Sequence, residues 1–497
     1  MPETTAREFP PGFLFGAATA AYQIEGAAHE DGRRDSIWDV FTKVPGAVIN
    51  GEDGEIACDH YHLYQDDVAL MASLGLQTYR FSTSWSRVRP DGGALNPKGV
   101  DFYKRLVDEL LQAGILPWLT LYHWDLPQAL QDRGGWTRRE TADRFTEYAL
   151  DMHDALGDRV DVWTTLNEPW CSSFLGYTAG LHAPGHYSRS EGMLAAHHLL
   201  LAHGQTVRAL RARDSSLDLG ITLNLTVADP ADPAEPADID AARRIDGQFN
   251  RWFLDPIFRG KYPQDIFDEI ADDALRAAIT PGDLEVISTP IDTLGVNYYH
   301  GEFVGGSPPA TPPGSGDAPT QRRGQSPFPS SENIFWHDRG LPRTPMNWEV
   351  QPEGLTRLLV RVSDEYAQLA GTSLIVTENG AAYDDEAVLE DGTIRVHDHE
   401  RADYVRLHLG AILDAVEAGV DVRGYFYWSL MDNFEWAWGY ATRFGIVRVD
   451  YETQERSVKD SGIQYGRIIA SRILDSETTA GVSPSPDAAA SAASMTT

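Results

Sequence analysis

Cysteine and long apolar runs are both scarce in this chain of 497 residues. The two cysteines, Cys58 and Cys171, provide neither a disulfide framework nor a zinc cluster. No apolar run approaches the ~18 residues that a membrane-spanning helix needs. The polar N-terminal residues lack the basic-then-apolar pattern of a signal peptide. We therefore expect a soluble, cytoplasmic protein with no membrane partner.

Positive charge is also in short supply, since 41 Lys and Arg stand against 74 Asp and Glu and the formal net charge is −33. A field of that sign repels phosphate backbones and anionic lipids, so nucleic acid and membrane surfaces are poor candidates as partners. Apolar residues make up 42% of the chain, which is enough for a large core. The oligomeric state stays open between a monomer and a homo-oligomer.

A short apolar run followed by a helix-like stretch recurs along the chain. The runs are apolar on both faces, as strands of a covered parallel sheet are. Eight alternations favour an α/β fold with a single (β/α)8 TIM barrel and long βα loops. An open doubly wound sheet is the alternative, but no Gly-rich phosphate turn follows the first strand. The predicted strands are 13–19, 77–82, 116–122, 160–166, 219–225, 293–299, 373–377 and 424–430.

Two segments fall outside this rhythm. Residues 307–330 are dense in Pro, Gly and Ser and predict a long flexible loop after the sixth strand, either a substrate-entrance lid or plain disorder. Residues 476–497 form an Ala/Ser/Pro tail without periodicity, for which we expect disorder. Residues 1–475 are therefore assigned to the barrel domain.

Two glutamates follow predicted strands directly, at the barrel end where active sites lie. Glu168 follows the fourth strand and Glu378 the seventh. A lone glutamate in such a place is most simply a loop cap or the partner of a buried arginine. Two of them can face one another over the barrel mouth. Opposed carboxyl groups cleave glycosidic bonds, because one protonates the leaving oxygen while the other attacks the anomeric carbon or activates water.

Four motifs resemble the signatures of glycoside hydrolase family 1, the β-glucosidase family, and they occur in the right order at predicted strand ends. They are the segment 13–26, Thr-Leu-Asn-Glu-Pro at 165–169, Ile-Val-Thr-Glu-Asn-Gly at 375–380, and the segment 427–436. The resemblance runs from Phe9 to about Leu474. It implies that Glu378 is the nucleophile and Glu168 the general acid/base of a retaining mechanism without metal or cofactor. Such a mechanism needs carboxyl groups ~5–5.5 Å apart.

The same resemblance implies how the two glutamates keep different charges. The negative Glu378 should raise the pKa of Glu168 and hold it protonated for the first step. Glu378 must itself stay ionised, and Arg80 and a tyrosine hydroxyl are the candidates to hold it so. We assign the tyrosine as Tyr299, because it shares the strand face of an inward Asn297 whereas Tyr298 points away.

A sugar offers hydroxyl groups and an apolar ring face, so its site needs polar partners and an aromatic platform. Core packing is the simpler explanation for several of the 13 tryptophans. The resemblance nevertheless implies hydroxyl binding by Gln23, His123, Asn167, Asn297 and Glu435, stacking on Trp428, Trp436 in the same subsite, Phe444 and Trp348 at the entrance, and Trp170 on the aglycone side.

These residues together predict a β-glucosidase that acts on a small-molecule β-glycoside or cello-oligosaccharide, with a role in cellulose and polysaccharide degradation. Glu435 would repel a 6-phosphate, which favours unphosphorylated sugars. The intact Glu168 favours an O-glycosidase over a thioglucosidase. A β-galactosidase or β-fucosidase of broad specificity is the nearest alternative, because the sequence does not distinguish these sugars.

Two further alternatives belong to other classes. A metal-dependent barrel hydrolase would place His-x-His at the end of the first strand, where Gln23 and Glu25 stand instead. The two His-x-His pairs of the chain lie next to predicted helices, at 60–62 and 397–399. A non-catalytic sugar-binding barrel would keep the aromatic platform but would not need both Glu168 and Glu378.

Overall fold

The computed structural model describes residues 6–475 except 315, 317, 322 and 323. Among these residues, eight parallel strands close into a barrel in which each strand pairs with its neighbours in sequence. The predicted TIM barrel is therefore confirmed, with strand ends that lie within two residues of the prediction. The strands are β1 (Leu14–Ala18), β2 (Thr78–Ser82), β3 (Leu116–Tyr122), β4 (Val162–Asn167), β5 (Asp218–Asn224), β6 (Thr293–Asn297), β7 (Ser373–Asn379) and β8 (Val422–Trp428).

The strands are short and apolar because both of their faces are covered. All five residues of β2 are buried, as are all seven of β7. Side chains from different strands fill the inside of the barrel, where the rings of Trp118 and Phe426 meet at 5.2 Å.

A helix follows each strand in the described part of the chain. Helix α2 shows the local reasons: Pro97 occupies its first turn, an apolar face with Phe102 and Leu106 is buried, and Gly114 takes a left-handed φ of +75° after its end. The crossover helices are α1 (His60–Ser73), α2 (Pro97–Gln112), α3 (Glu140–Leu156), α4 (Arg189–Arg213), α5 (Trp252–Arg259), α6 (Pro352–Val362), α7 (His399–Glu417) and α8 (Asp460–Ser471).

Shorter elements decorate the loops. A strand pair between Arg7–Glu8 and Ile473–Leu474 ties the two ends of the described chain together. A small three-stranded sheet consists of Ala228–Pro230, Glu302–Gly305 and Phe335–Trp336. Two hairpins join Ala387–Glu390 to Thr393–Val396 and Val447–Val449 to Arg456–Val458. The remaining helical segments are Ala21–Ile24, Ile37–Phe41, Ile49–Gly51, Trp85–Val88, Gln128–Gln131, Gly135–Thr137, Cys171–Ala179, Pro236–Asp246, Gly247–Arg251, Gln264–Ile270, Asp273–Ala278, Asp283–Ile287, Ser363–Ala367, Gln368–Ala370 and Trp436–Trp438.

The two segments set apart by composition differ in what can be said of them. Within 307–330, the described residues belong to neither a helix nor a strand, and flexibility of this loop stays a prediction. The predicted disordered tail, 476–497, lies outside the described residues. Across the part of the chain that is described, no helix is long and apolar enough to cross a membrane.

Candidate active site

The two glutamates lie at the carboxyl end of the barrel, three strands apart around the ring. Glu168 comes directly after β4 and Glu378 is the last residue but one of β7. Both are buried, with 5% and 3% of their surface exposed. Glu168 also has a φ of +48°, in the left-handed region that a residue with a side chain seldom adopts. Strained conformations of this kind cluster at functional sites.

One hydrogen-bond network joins the two glutamates. The Arg80 guanidinium donates to Glu378 Oε1 and to Asn167 Oδ1, both at 2.6 Å. The Asn297 amide donates to the same Asn167 oxygen at 3.1 Å and to Glu168 Oε1 at 2.7 Å. The separation of the two carboxyl groups expected for a retaining enzyme stays a prediction.

Glu378 has two donors that favour its ionised form. Besides Arg80, the Tyr299 hydroxyl donates to Glu378 Oε2 at 2.8 Å. Burial raises the pKa of Glu378, and the arginine and the tyrosine oppose that rise. The Tyr298 hydroxyl instead donates to the carbonyl of Gln351 at 2.9 Å. Strand β6 ends at Asn297, so the loop after it orients Tyr299, and the strand alternation used to predict this residue does not extend that far.

Glu168 lacks an arginine partner among the described residues. Its burial, and after it the charge of Glu378, raise its pKa to about 8. Hydrogen bonds from Asn297 and from the thiol of Cys171 oppose the rise. The two environments therefore favour the proton on Glu168 and the negative charge on Glu378.

Two neighbours in the barrel wall orient the Asn297 amide. The Thr377 hydroxyl donates to Asn297 Oδ1 at 2.7 Å, which turns the amide nitrogen towards Glu168. Gly295 leaves room for that threonine, because a Cβ there would lie 2.7 Å from Thr377 Oγ1 and 2.3 Å from Thr222 Oγ1. Gly295 of β6 therefore leaves space for the threonine that orients the Asn297 amide.

Gln23 and His123 each present one buried polar atom without a partner among the described residues, Oε1 and Nδ1 respectively. The Gln23 amide nitrogen donates to Asn433 Oδ1 at 2.9 Å, which leaves the oxygen as an acceptor. The Asn167 amide nitrogen lies 3.0 Å from His123 Nε2, so this ring nitrogen accepts and Nδ1 carries the proton. Burial and Arg80 lower the pKa of His123 far below its ordinary value, so the ring is neutral. An acceptor and a donor are thus available for sugar hydroxyls.

Glu435 adds a third carboxyl group to the same space. Its burial, then the charges of Glu378 and Glu168, raise its pKa to about 8. The Gln23 amide nitrogen lies 3.4 Å from Glu435 Oε2. A carboxyl group can donate as well as accept when it is protonated, and the discrimination against a 6-phosphate that the sequence leads us to expect from Glu435 stays a prediction.

Aromatic side chains line a cavity of about 840 Å³ above these groups. The Trp428 ring lies parallel to His123 at 5.6 Å, and Trp436 packs on Trp124 at 4.6 Å. Phe444 meets Trp348 at 6.1 Å on the side of Tyr299. The predicted residues that line the cavity are His123, Glu168, Trp170, Asn297, Tyr299, Trp348, Glu378, Trp428, Glu435, Trp436 and Phe444, whereas Gln23, Arg80 and Asn167 are not among its lining residues.

The far wall of the cavity contains residues that sequence reasoning missed. Trp170 packs on Phe249 at 4.5 Å and on Phe328 at 5.5 Å. Phe249 belongs to the π-helical segment Gly247–Arg251, and Phe328 belongs to the 307–330 loop. Composition marks the 307–330 loop as a candidate entrance, but no motif in either segment singles out these two rings. Cys171, which the sequence left without a role, lies 3.2 Å from Glu168 Oε2.

The histidine pairs considered for a metal centre do not line this cavity. His60 lies 2.8 Å from Asp67 and His62 is paired with Asp59. Among the described residues, one group of three has its ligand atoms within 4.8 Å of one another: His397, His399 and Asp460. Both ring nitrogens of His397 already meet carboxylates, Asp460 at 2.6 Å and Glu390 at 3.1 Å.

Comparison with known proteins agrees with this geometry. The profile described as Glycosyl hydrolase family 1 matches residues 5–473. The chain is 50% identical over 464 residues to the thermostable beta-glucosidase B of Thermobispora bispora, covering 93% of this chain and 90% of that one. It is 47% identical over 469 residues to a bifunctional beta-D-glucosidase/beta-D-fucosidase of Bifidobacterium breve, covering 93% and 98%. The crystal structure of a psychrophilic beta-glucosidase from Micrococcus antarcticus superposes with a TM-score of 0.91 at 54% identity, covering 94% and 98%.

Proposed function

Because the chain belongs to glycosyl hydrolase family 1, we propose that it is a retaining β-glucosidase that removes terminal, non-reducing, unphosphorylated β-D-glucosyl residues. Its substrates are small-molecule β-glycosides and cello-oligosaccharides. The reaction proceeds through a covalent glycosyl-enzyme, in which the sugar is esterified to Glu378.

In the first step, Glu168 gives its proton to the glycosidic oxygen while the Glu378 carboxylate attacks the anomeric carbon. The bond between that carbon and the aglycone oxygen breaks, and the aglycone leaves as an alcohol. Arg80 and Tyr299 keep Glu378 ionised and aligned for attack, at 2.6 and 2.8 Å from its two oxygens. The raised pKa of Glu168 keeps its proton available at neutral pH.

In the second step, Glu168 acts as a base. Esterification removes the charge of Glu378, so one cause of the raised pKa of Glu168 is lost. The ionised Glu168 takes a proton from a water molecule, whose oxygen attacks the anomeric carbon. The ester bond breaks, Glu378 becomes a carboxylate again, and the sugar leaves with its original configuration.

The observation that carries this proposal is that two buried carboxyl groups in one hydrogen-bond network have unequal environments. Glu378 accepts from a guanidinium, while the partners of Glu168 are an amide and a thiol. Environments that separate the protonation states of two carboxyl groups assign the acid and the nucleophile. A sugar-binding protein without catalysis would have no use for this separation.

Azide trapping tests both assignments through the configuration of the product. In Glu378→Gly, azide should attack the anomeric carbon from the vacated face and give the α-glycosyl azide. In Glu168→Ala, azide should attack the glycosyl-enzyme and give the β-glycosyl azide. Glu168→Ala should also slow alkyl glucosides far more than dinitrophenyl glucosides, which need no proton on the leaving oxygen. Products of exchanged configuration would exchange the two roles.

A matched control removes a buried, arginine-paired glutamate outside the cavity. Glu25 accepts from Arg87 at 2.8 Å and from Tyr103 at 2.6 Å. Glu25→Gln should keep turnover of nitrophenyl β-glucoside within a few-fold at a temperature where its circular dichroism is native. If Glu25→Gln and Glu378→Gln lose activity alike, the loss reflects structure and the nucleophile assignment fails.

Activity on β-D-fucosides is a second candidate, favoured by the similarity to the bifunctional beta-D-glucosidase/beta-D-fucosidase of Bifidobacterium breve. Gln23 and Glu435 offer an acceptor and a carboxyl group that could hold either epimer at the 4-hydroxyl. Rates on the nitrophenyl β-glucoside, β-galactoside and β-fucoside would rank these substrates directly. The cytoplasmic location stays a prediction, which cell fractionation would check. Light scattering would decide between a monomer and a homo-oligomer, which the sequence leaves open.

A further inference from the structure

The two oxygens of Glu168 have different partners. Oε1 accepts from the Asn297 amide at 2.7 Å, and Oε2 lies 3.2 Å from the sulfur of Cys171. Asn167 Oδ1 accepts from Arg80, so this atom is an oxygen. The Asn297 side-chain atom that lies 3.1 Å from it must therefore be the amide nitrogen, which fixes the orientation of the Asn297 amide. An amide N–H can only donate, so the proton of a neutral Glu168 belongs on Oε2, beside the thiol.

Cys171 is built into this position. It begins the π-helical segment Cys171–Ala179, three residues after Glu168, and it lines the cavity with 7% of its surface exposed. The Asn224 amide nitrogen lies 3.6 Å from the sulfur and donates to it. Burial and the adjacent carboxyl group raise the pKa of the Cys171 thiol well above its ordinary value, so the sulfur keeps its proton.

A thiol is a weak donor and a weak acceptor. We propose that Cys171 is a positioning residue for the acid/base, whose hydrogen bond with Glu168 reverses direction between the two halves of the reaction. The sulfur accepts from the protonated carboxyl group before the glycosyl transfer. It donates to the carboxylate once the proton has left with the aglycone. No bond to sulfur forms or breaks.

This inference rests on the proposed function, since it needs Glu168 to change protonation state in each cycle. The Cys171 thiol, as a weak hydrogen-bond partner, holds Oε2 in place without strongly favouring either the protonated or the ionised form of Glu168. A hydroxyl group there would stabilise the carboxylate more strongly, and a methyl group would not stabilise it at all.

Other groups that face Glu168 also shift its pKa. Among the described residues, none of them donates to Oε2. Glu378 raises the pKa of Glu168, whereas Arg80 and Asn297 lower it. The titratable and charged groups from the surrounding elements are Arg80 of β2, His123 after β3, Tyr299 after β6, Glu378 of β7 and Glu435 after β8.

The test is the alkaline limb of kcat/KM against pH, which reports loss of the Glu168 proton. Cys171→Ala removes a donor to the carboxylate, so the limb should move to higher pH. Cys171→Ser supplies a stronger donor, so the limb should move to lower pH. We expect shifts of about 0.5 unit in each direction, which is about threefold in the proton affinity.

Opposite signs are the signature that a purely structural role would not produce. Shifts in the same direction, or Cys171→Ser without a shift towards lower pH, would overturn the inference. If Cys171→Ala does not fold, the serine variant alone decides, because it is nearly isosteric with the native residue.

Two controls accompany this series. The other buried thiol, Cys58, donates to the Asp432 carbonyl at 3.1 Å, so Cys58→Ala and Cys58→Ser should leave the limb in place. Glu168→Gln should abolish the limb. If it does so while the Cys171 variants leave the limb unmoved, the proposed function stands and this inference fails. If the limb survives in Glu168→Gln, the acid/base assignment fails.

Discussion

Removing the hydroxyl of Tyr299 should raise the pH below which the enzyme loses activity. The hydroxyl donates to Glu378 Oε2 at 2.8 Å and stabilises the carboxylate form only. Tyr299→Phe therefore raises the pKa of Glu378. Because Glu378 must be ionised to attack, the acidic limb of kcat/KM moves upward, so activity is lost at a higher pH on the acid side and little changed at the top of the profile.

The size of the shift follows from the hydrogen bond. A hydrogen bond to a charged group contributes about 1.5–3 kcal/mol, and one pKa unit corresponds to about 1.36 kcal/mol. The full loss would thus be about 1–2 units. Arg80 still donates to Oε1 at 2.6 Å in the variant, so we expect the lower end, about 1 unit.

The assay is the pH dependence of kcat/KM on nitrophenyl β-glucoside, with the concentration of folded enzyme verified at each pH. Tyr298→Phe is the matched control, because the neighbouring hydroxyl donates to the Gln351 carbonyl and not to Glu378. An acidic limb that stays in place in Tyr299→Phe, or moves equally in Tyr298→Phe, would refute the reasoning.

Two further outcomes are expected. Gly295→Ala places a Cβ 2.3 Å from Thr222 Oγ1, so it should lower the free energy of unfolding by about 1–3 kcal/mol, measured by thermal melting. Gly93→Ala is the control, because a Cβ there has no atom within 4 Å and should leave the melting temperature unchanged. Equal melting temperatures of the two variants would contradict the packing argument. Glu435→Gln should reduce kcat/KM on the β-glucoside about 10-fold to 100-fold through a weakened sugar hydrogen bond. It should also lower the ratio of kcat/KM on the β-glucoside to kcat/KM on the 6-phosphoglucoside, and an unchanged ratio would mean that Glu435 does not select between these sugars.

The fold could be predicted because its signal is local and repeated. Each apolar run of five to seven residues needs cover on both faces, and each is followed by an amphipathic stretch that provides it. The predicted bounds of β3 match the observed ones, while the predicted β6 extends two residues beyond the observed end because Tyr298 and Tyr299 are aromatic residues typical of strands. The Ala-, Pro- and Asp-rich composition of residues 229–240 predicts a surface connection, and composition does not show that this segment contains the end of the strand Ala228–Pro230 and the start of the helix Pro236–Asp246.

The sequence by itself determined the barrel and the two glutamates at its mouth, because an acidic residue at the end of an apolar strand is visible in the order of residues. Most contacts of those glutamates were decided by the tertiary structure. Whether the predicted Tyr299 reaches Glu378, and whether Phe249 and Phe328 close the cavity, depend on register and loop paths. The contact of Cys171 with Glu168 Oε2 is local, because the two residues are three apart, but it needs the turn that the chain makes after β4. Side chains from strands far apart in the chain come within 3 Å only when the barrel closes, and neither spacing nor composition encodes that distance.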